Sequence, residues 1–211
     1  MVIEMNLGLM RATGAWAIAA FATLSPLAVS EARATVRFET ATPSGYETRP
    51  ASSNFTTVLS VSQAVTITNI GQENDLTTNG SMRFFIFDAS SGSQLYLSAA
   101  EAFIDDGRSY KVSDPFSFTF LPGTSYSVGA VANVSAEYGY VFGPATSTNG
   151  ITSAVSNQNV SGFTTVTLNT GHNCCDSRIE LLSEVAVPEP MSLSLLGASL
   201  AGLVVARRRR A

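Results

Sequence analysis

The sequence is poor in the residues that most often carry catalysis or covalent cross-links. It has one histidine, His172, and two adjacent cysteines, Cys174 and Cys175. In an oxidising compartment the cysteines could form a disulfide with each other or pair between molecules. If they pair with each other they cannot join distant strands, and stability then has to come from the hydrophobic core. A Ser-His-Asp arrangement would have to use His172, and there is no Gly-x-Ser-x-Gly motif. We therefore expect a protein that is not an enzyme, with a secreted hydrolase as the less favoured alternative.

Positive charge is scarce in the middle of the chain. Six of the 12 Lys and Arg residues and three of the 16 Asp and Glu residues lie in the terminal segments 1–34 and 187–211. The body between them, residues 35–186, keeps 6 basic and 13 acidic residues, which gives a formal charge of −7. Such a body has no basic surface for a phosphate backbone, so nucleic acid is not expected as a partner.

Helical periodicity is also missing, apart from Ser98–Phe103, which could form a single turn. Apolar residues alternate with polar ones over Leu59–Ile67, whereas Met82–Phe87 is apolar on both parities, as in a central strand covered on two faces. Further strands are predicted at Leu95–Leu97, Phe116–Phe120, Tyr126–Ala130, Tyr138–Phe142, Phe163–Leu168 and Arg178–Leu182. Short strands separated by turns, without βαβ alternation, predict an all-β body that folds as an antiparallel, jelly-roll-like β-sandwich. A closed barrel is the alternative.

The first 34 residues have the pattern of a signal peptide. Arg11 precedes the apolar stretch 12–29, and Ala32-Arg33-Ala34 has the small-x-small form of a signal-peptidase site. We expect Sec-type export machinery and signal peptidase as partners, with cleavage after Ala34. A stable N-terminal transmembrane helix is the alternative, which Pro26 and the cleavage pattern disfavour.

The C-terminal segment, residues 187–211, combines three features. Pro188-Glu189-Pro190 comes first, an uncharged apolar stretch follows over residues 191–206, and Arg207, Arg208, Arg209 and Arg210 come next. A helix over 191–206 would reach about 24 Å, against a hydrocarbon core of about 30 Å, so it makes a short transmembrane helix. The arginines orient this span with the C-terminus in the cytoplasm. The prolines hold Glu189 in an extended stretch, which a protease cleft can bind. An ordinary membrane anchor is the alternative.

These residues resemble the PEP-CTERM sorting signal, also known as the ice-binding protein C-terminal domain. The resemblance covers Val187–Arg210 and implies recognition by an exosortase, a membrane-embedded protease, with removal of the tail near Pro188-Glu189-Pro190. It further implies a Gram-negative bacterium and an association with exopolysaccharide or biofilm matrix. The expected product is an exported protein that is transiently anchored in the inner membrane and then reaches the cell surface or the extracellular matrix. Ice binding would need regular threonine arrays, which the body lacks.

Two groups of polar residues in the body are candidate sites. His172-Asn173-Cys174-Cys175-Asp176 could hold a metal, but adjacent residues of a strand point to opposite faces, which favours a Cys174–Cys175 disulfide or a structural role. Asp105-Asp106-Gly107, with Asn74-Asp75 and Asp88 as companions, could bind calcium through loop oxygens. The repeating calcium-loop pattern Asp-x-Asp-x-Asp-Gly is absent, so ordinary turn chemistry is the favoured interpretation and no metal is expected.

Three aromatic residues, Tyr138, Tyr140 and Phe142, share one parity, with Glu137 beside them. Exposed in a row, they could stack on sugar rings, as in a carbohydrate-binding module. Aromatic residues at period two more often form the inward face of a strand, and this is the favoured interpretation. Phe116, Phe118 and Phe120 are assigned to the core for the same reason.

Overall fold

The computed structural model describes residues 34–184, without the side chains of Ala34, His172, Asn173, Cys174 and Glu184. This range contains nineteen β-strands and no α-helix. The strands are β1 Ala34–Glu39, β2 Gly45–Arg49, β3 Ser53–Phe55, β4 Thr57–Val61, β5 Val65–Ile67, β6 Asn69–Leu76, β7 Gly80–Asp88, β8 Gln94–Leu97, β9 Glu101–Phe103, β10 Ser109–Val112, β11 Phe118–Phe120, β12 Ser125–Ala132, β13 Ala136–Val141, β14 Ser147–Thr148, β15 Ile151–Ser153, β16 Ser156–Ser161, β17 Thr167–Cys174, β18 Asp176–Ser177 and β19 Ile179–Glu184. Every pairing between them is antiparallel, which confirms the predicted all-β, antiparallel class.

Two seven-stranded sheets form the body. The front sheet contains β1, β2, β6, β10, β13, β18 and β19, and the middle sheet contains β4, β7, β8, β9, β12, β14 and β15. Their inner faces contribute to one hydrophobic core, with Ile70 and Tyr138 from the front sheet and Phe84 and Val128 from the middle sheet. The jelly-roll connectivity stays a prediction.

A third layer explains the composition of β7. The back sheet, made of β3, β16 and β17, packs behind the middle sheet through a second cluster that includes Phe85, Phe87 and Val160. Phe84 and Ile86 of the same strand point into the main core. Because β7 lies in the middle layer, both of its faces are buried, which confirms the prediction of a central strand covered on two sides.

The front sheet is forked. β6 and β13 pair from Leu76↔Ala136 to Asn74↔Tyr138 and then diverge. The chain from β18 to β19 enters the gap, where the Arg178 N–H donates to the Gly139 carbonyl at 2.9 Å and the Arg178 carbonyl accepts from the Glu73 N–H at 3.1 Å. Beyond this point β18 pairs with β13 and β19 pairs with β6.

The first and last strands are neighbours. β1 pairs with β19, and Ala34 lies opposite Glu184. Ala34, after which we expect signal-peptidase cleavage, is therefore also the first residue of β1. The described residues contain no helix long and apolar enough to cross a bilayer. The rest of the signal peptide, including Ala32, and the whole sorting tail with its span 191–206 lie outside the described residues.

The alternation over Leu59–Ile67 correctly predicted which residues are buried, but these residues do not form a single strand. Leu59, Val61, Val65 and Ile67 are buried, but the chain bends after Val61, so β4 joins the middle sheet and β5 pairs with β11. Period-two burial indicates which face of a strand is covered, but it does not indicate which sheet the strand joins.

Two other predictions of local structure are wrong in part or in full. The predicted strand Phe163–Leu168 is correct only for Thr167 and Leu168, which begin β17; residues 163–166 lie between β16 and β17, and Phe163 packs against the second cluster from there. Ser98–Phe103 contains no helical turn; its last three residues form β9, which pairs with β7. Phe116 and Phe118 are half-buried, while Phe120 is fully buried, so the assignment of all three to the core holds fully only for Phe120.

Candidate functional site

An open depression lies at one edge of the front sheet. It has a volume of about 350 Å³ and is lined by Tyr46, Glu47, Tyr140, Phe142 and Cys175. Tyr46 and Glu47 belong to β2, the edge strand that pairs with β13. Phe142 is 56% exposed and Tyr46 is 38% exposed, so two aromatic rings of this depression are open to solvent.

The pairing of β2 with β13 shapes the depression. Gly45 lies opposite Tyr140, and a Cβ atom at Gly45 would overlap the Tyr140 ring and hydroxyl. Glycine at this position therefore lets the ring lie across the edge strand. The rings of Tyr140 and Phe142 meet edge to face, with centroids 5.2 Å apart. The Ser44 hydroxyl accepts a hydrogen bond from the Phe142 N–H at 2.9 Å and donates to its carbonyl at 3.2 Å.

The favoured interpretation of Tyr138, Tyr140 and Phe142 as the inward face of a strand is confirmed for Tyr138, so the alternative of an exposed row is wrong at its first member. Tyr138 is 1% exposed and packs in the core, where its ring lies 6.4 Å from that of Phe55. It cannot stack on a ligand. Tyr140 is half-buried, and Phe142 is exposed because β13 ends at Val141 and the chain turns outward. The three residues of shared parity thus have different environments: Tyr138 lies in the core, whereas Tyr140 and Phe142 line the depression.

Arg108 covers one face of the Tyr46 ring. Its guanidinium carbon lies 3.6 Å from the ring centroid, and the same group forms an ion pair with Glu137. Burial, followed by the neighbouring Glu73 carboxylate, raises the pKa of Tyr46, so its hydroxyl stays protonated. This contact positions the ring. Glu137 thus supports Tyr46 from beside the depression and does not line it.

Arg178 holds the fork beneath this surface. Its guanidinium bonds Glu39 at 2.5 Å and Glu73 at 3.4 Å, and it lies 5.5 Å from the ring centroid of Tyr110. The Arg178 side chain is only 13% exposed. The network joins β1, β6, β10 and the β18–β19 junction, so it stabilises the sheet that carries the depression.

Cys175 is the one residue of the cysteine segment that is known to line the depression. Cys175 is buried, has a positive φ of 66° and accepts a hydrogen bond from Asn157 Nδ2 at its Sγ. The side chains of His172 and Cys174 lie outside the described residues, so the disulfide with Cys175 stays a prediction, as does the alternative metal site.

Asp176 follows directly and is 2% exposed. Burial raises the pKa of its carboxyl from 3.8 to about 6, although hydrogen bonds from Ser153 and from the Ser156 N–H partly oppose this shift. The carboxyl is neutral in both the folded and the unfolded chain only well below pH 3.8. Well above pH 6 it is charged in both, so the folded state carries a desolvation cost of about 3 kcal/mol.

Asp176→Asn should remove this cost. We expect the free energy of unfolding to rise by about 1–3 kcal/mol at pH 7 and by less than about 1 kcal/mol at pH 4, because the amide keeps the shape and the acceptor oxygen without the charge. Urea denaturation of variant and parent at both pH values measures the difference, with Asp105→Asn on the exposed loop as control. A gain at pH 4 equal to that at pH 7 would contradict the assignment.

The candidate calcium ligands have other partners. Asp106 forms an ion pair with the buried Lys111, which lowers the pKa of the carboxyl. Asp88 caps the turn after β7 by accepting the N–H groups of Ser90 and Ser91. Asp88 is the last residue of β7, eight residues after Gly80, so the two ends of the strand are roughly 26 Å apart. Asp105 lies near the Gly80 end, where its N–H donates to Asn79 Oδ1. Among the side chains that the structure describes, which leave out those of His172 and Cys174, no three His, Cys, Asp or Glu are grouped so that they could hold a metal ion.

Sequence reasoning did not select Tyr46 and Glu47. The segment Gly45–Arg49 has no hydrophobic alternation that marks a buried strand, and three of its residues are exposed. Its position beside Tyr140 depends on a pairing between segments about 90 residues apart. No local pattern encodes that pairing, although the glycine before a tyrosine at an edge is the kind of residue that lets another ring lie across the backbone.

The described residues thus define an antiparallel β protein of packed sheets with an aromatic depression at one edge. A family model described as the PEP-CTERM protein-sorting motif matches residues 186–210. The chain therefore carries this sorting motif, and the resemblance of Pro188, Glu189, Pro190 and Arg207–Arg210 to it is confirmed. The motif marks a secreted protein that an exosortase, a membrane protease, sorts at the C-terminus toward the cell surface. No curated protein matches the chain at a significant level.

Proposed function

We propose that the protein is an exopolysaccharide-associated surface or matrix protein whose tail serves only as a temporary anchor. In this scheme signal peptidase cuts after Ala34, and the span 191–206 pauses the chain in the inner membrane with its C-terminus in the cytoplasm. The exosortase then cuts near Pro188-Glu189-Pro190 and the body leaves the membrane. The short span and the second export signal at the N-terminus support transit over permanent residence.

The body, in this proposal, binds neutral stretches of polysaccharide in the depression and catalyses no reaction. The supporting observation is the exposure of Phe142 and Tyr46 on an open surface, since the apolar faces of sugar rings stack on aromatic side chains. Glu47 can accept hydrogen bonds from sugar hydroxyls. Glycoside hydrolysis uses a pair of carboxyl groups across the scissile bond, and Glu47 is the one carboxylate among the lining residues.

A single depression of this kind gives weak affinity. An aromatic contact contributes about 0.5–1.5 kcal/mol beyond burial, and the Tyr140 ring is partly covered. A polymer with many repeats compensates, because one chain can engage several copies of the protein and gain avidity. This suits a matrix protein, which needs retention on a polymer more than tight binding of one sugar.

Phe142→Ala tests the proposal. We expect retention on the host's own exopolysaccharide to fall about tenfold, which is about 1.4 kcal/mol, because the most exposed ring of the depression is lost. Affinity electrophoresis of the purified body through gels containing the polysaccharide measures the effect. Ile104→Ala is the matched control, since Ile104 is 64% exposed on a different loop.

Two results would reject the binding proposal. One is free migration of the unaltered body in gels containing exopolysaccharide. The other is equal loss of retention in the Phe142→Ala and Ile104→Ala variants, which would show nonspecific apolar adsorption. Release of reducing sugar ends by the body would instead support the hydrolase alternative.

A further inference from the structure

A second pocket lies where three segments of the chain meet. It has a volume of about 180 Å³ and is lined by Arg37, Gln63, Ala64, Val65, Thr66 and Asn149. Arg37 comes from β1, Asn149 from the turn between β14 and β15, and the other four from the β4–β5 connection and the start of β5. The pocket shares no lining residue with the aromatic depression, so it is a separate concave surface.

The backbone places Arg37 and Asn149 at the pocket. The pairing of β1 with β19 shifts between Val36 and Phe38, so Arg37 is the extra residue of a β-bulge. A bulge re-aims a side chain relative to the rest of its strand. Asn149 and Gly150 form a two-residue hairpin loop with φ angles of 53° and 81°, as in a type I′ turn. Local backbone geometry thus fixes where both side chains begin.

Hydrogen bonds join the three segments. Asn149 Nδ2 donates to the Arg37 carbonyl at 2.7 Å, and the Ser62 N–H donates to the Gly150 carbonyl at 2.8 Å. Arg37 Nε donates to Ser183 Oγ at 2.5 Å, which holds the guanidinium from behind. A group that is held before a ligand arrives loses less conformational entropy on binding.

Arg37 is the one charged side chain among the lining residues, in a body with a formal charge of −7. Four of the six basic residues of the body form ion pairs, namely Arg49, Arg108, Lys111 and Arg178. Arg83 donates to the carbonyls of Phe163 and Thr164. Arg37 bonds a neutral hydroxyl, and no ion pair of the described side chains includes it. The pocket is therefore a local positive site on an acidic protein.

We propose that this pocket binds the carboxylate of an acidic sugar unit in a polysaccharide. The planar guanidinium fork of Arg37 can bond both oxygens of a carboxylate, and its single positive charge matches a single negative charge. The volume corresponds to about six water molecules, which suits one sugar unit. A densely charged polyanion fits poorly, because the net negative charge of the body repels it.

The remaining lining residues suit a sugar ring. The amides of Gln63 and Asn149 can exchange hydrogen bonds with hydroxyl groups, while Ala64 and Val65 supply apolar contact. The choice of a polysaccharide as the source of the carboxylate rests on the proposed function, whereas the anion site itself does not.

Retention on a matched pair of polymers tests the site. Pullulan oxidised at a minority of its C6 positions carries scattered carboxylates, whereas untreated pullulan is neutral. The full-length chain is produced in a host without an exosortase, solubilised in a nonionic detergent and passed over columns of each immobilised polymer. Every protein of the series carries Arg207→Gln, Arg208→Gln, Arg209→Gln and Arg210→Gln, so that the tail does not attract the oxidised polymer.

Three single substitutions separate the site from general charge. Arg37→Gln should lower retention on oxidised pullulan at least about tenfold, which is about 1.4 kcal/mol, because the charged hydrogen bonds are lost. Arg37→Lys keeps the charge without the fork and should give an intermediate value. Arg83→Gln is the matched control, since it removes the same charge from β7 and should behave like the parent. Far-UV circular dichroism reports whether each variant folds. If Arg37→Gln does not, Gln63→Ala on the exposed turn replaces it and should lower retention about threefold.

Competition identifies the ligand class. Elution by methyl glucuronoside, with little effect of equal concentrations of inorganic phosphate or sulfate, would support a sugar acid, whereas equal elution by all three would overturn that choice. Equal retention of the parent on the two polymers would overturn the site, as would retention that Arg37→Gln leaves unchanged or that Arg83→Gln lowers to the same extent. Phe142→Ala should not alter the difference between the two polymers, so a failure here is distinct from a failure of the aromatic depression.

Discussion

Glu189→Ala in the full-length chain should leave nearly all of the protein unprocessed in the membrane fraction of the native host. Prolines disfavour helix formation, so we expect Pro188 and Pro190 to hold Glu189 in an extended conformation, with its carboxylate as the one charged group that the protease can recognise in this stretch. Loss of a buried charged contact in a recognition cleft costs about 2–5 kcal/mol, which lowers the rate of cutting by well over tenfold. Immunoblots of membrane and extracellular fractions measure the unprocessed protein.

The control for this variant is Ser194→Ala, which changes the apolar span without touching the motif. Pro188→Ala and Pro190→Ala should reduce processing in the same direction, since each restores backbone freedom next to Glu189. Mass spectrometry of the mature protein from the parent strain identifies both termini and any attached group. Normal release of the Glu189→Ala protein would refute the role assigned to the motif.

Arg178→Ala should be among the most destabilising single substitutions of the front sheet. The side chain is 13% exposed and bonds Glu39 and Glu73, so its removal leaves two carboxylates facing each other without a cation. Breaking a buried ion pair on one side costs about 3–5 kcal/mol, and the partial exposure of Glu39 reduces this to about 2–4 kcal/mol. Urea denaturation followed by far-UV circular dichroism measures the loss. Tryptophan fluorescence is unsuitable, because the one tryptophan, Trp16, lies in the predicted signal peptide.

Arg108→Ala is the matched comparison. Arg108 also pairs with a glutamate, Glu137, but both side chains are 36% exposed. Exposed ion pairs contribute about 0–1 kcal/mol, so this variant should lose less than about 1 kcal/mol of stability while disturbing the position of Tyr46. Equal losses in the two variants would show that burial does not distinguish the two ion pairs.

The strands that could be predicted are those whose buried faces are visible as apolar residues in their own sequence. Met82–Phe87 is apolar on both parities, and the structure places it between two hydrophobic clusters. The pattern sufficed because a strand in a middle layer has no exposed face to vary. Gly45–Arg49 escaped prediction because an edge strand that is mostly exposed carries little hydrophobic signal. Ser109–Val112 escaped it because its one fully buried residue is a lysine, Lys111.

The candidate site could be predicted only in part. The sequence singled out Tyr140 and Phe142 but grouped them with Tyr138, which is a core residue. Shared parity could not predict that Tyr138 is buried and Phe142 exposed, since Phe142 lies just beyond the end of β13 at Val141. Tyr46 and Glu47 came from a distant segment, and their part in the depression follows from strand pairing that local sequence does not encode.

The sequence by itself determined the route of this protein and the class of its fold. Export signals are read as linear stretches, so the pattern before Ala34 and the motif at residues 186–210 keep their meaning without a tertiary structure. Period-two hydrophobicity likewise specifies strands. Only the tertiary structure decided which aromatic side chains face solvent and how β4 and β5 divide between sheets. It also decided that β1, which follows the predicted signal peptide, pairs with β19, the last described strand before the sorting motif. These features depend on pairing between distant segments, because exposure is a property of a residue's neighbours in space.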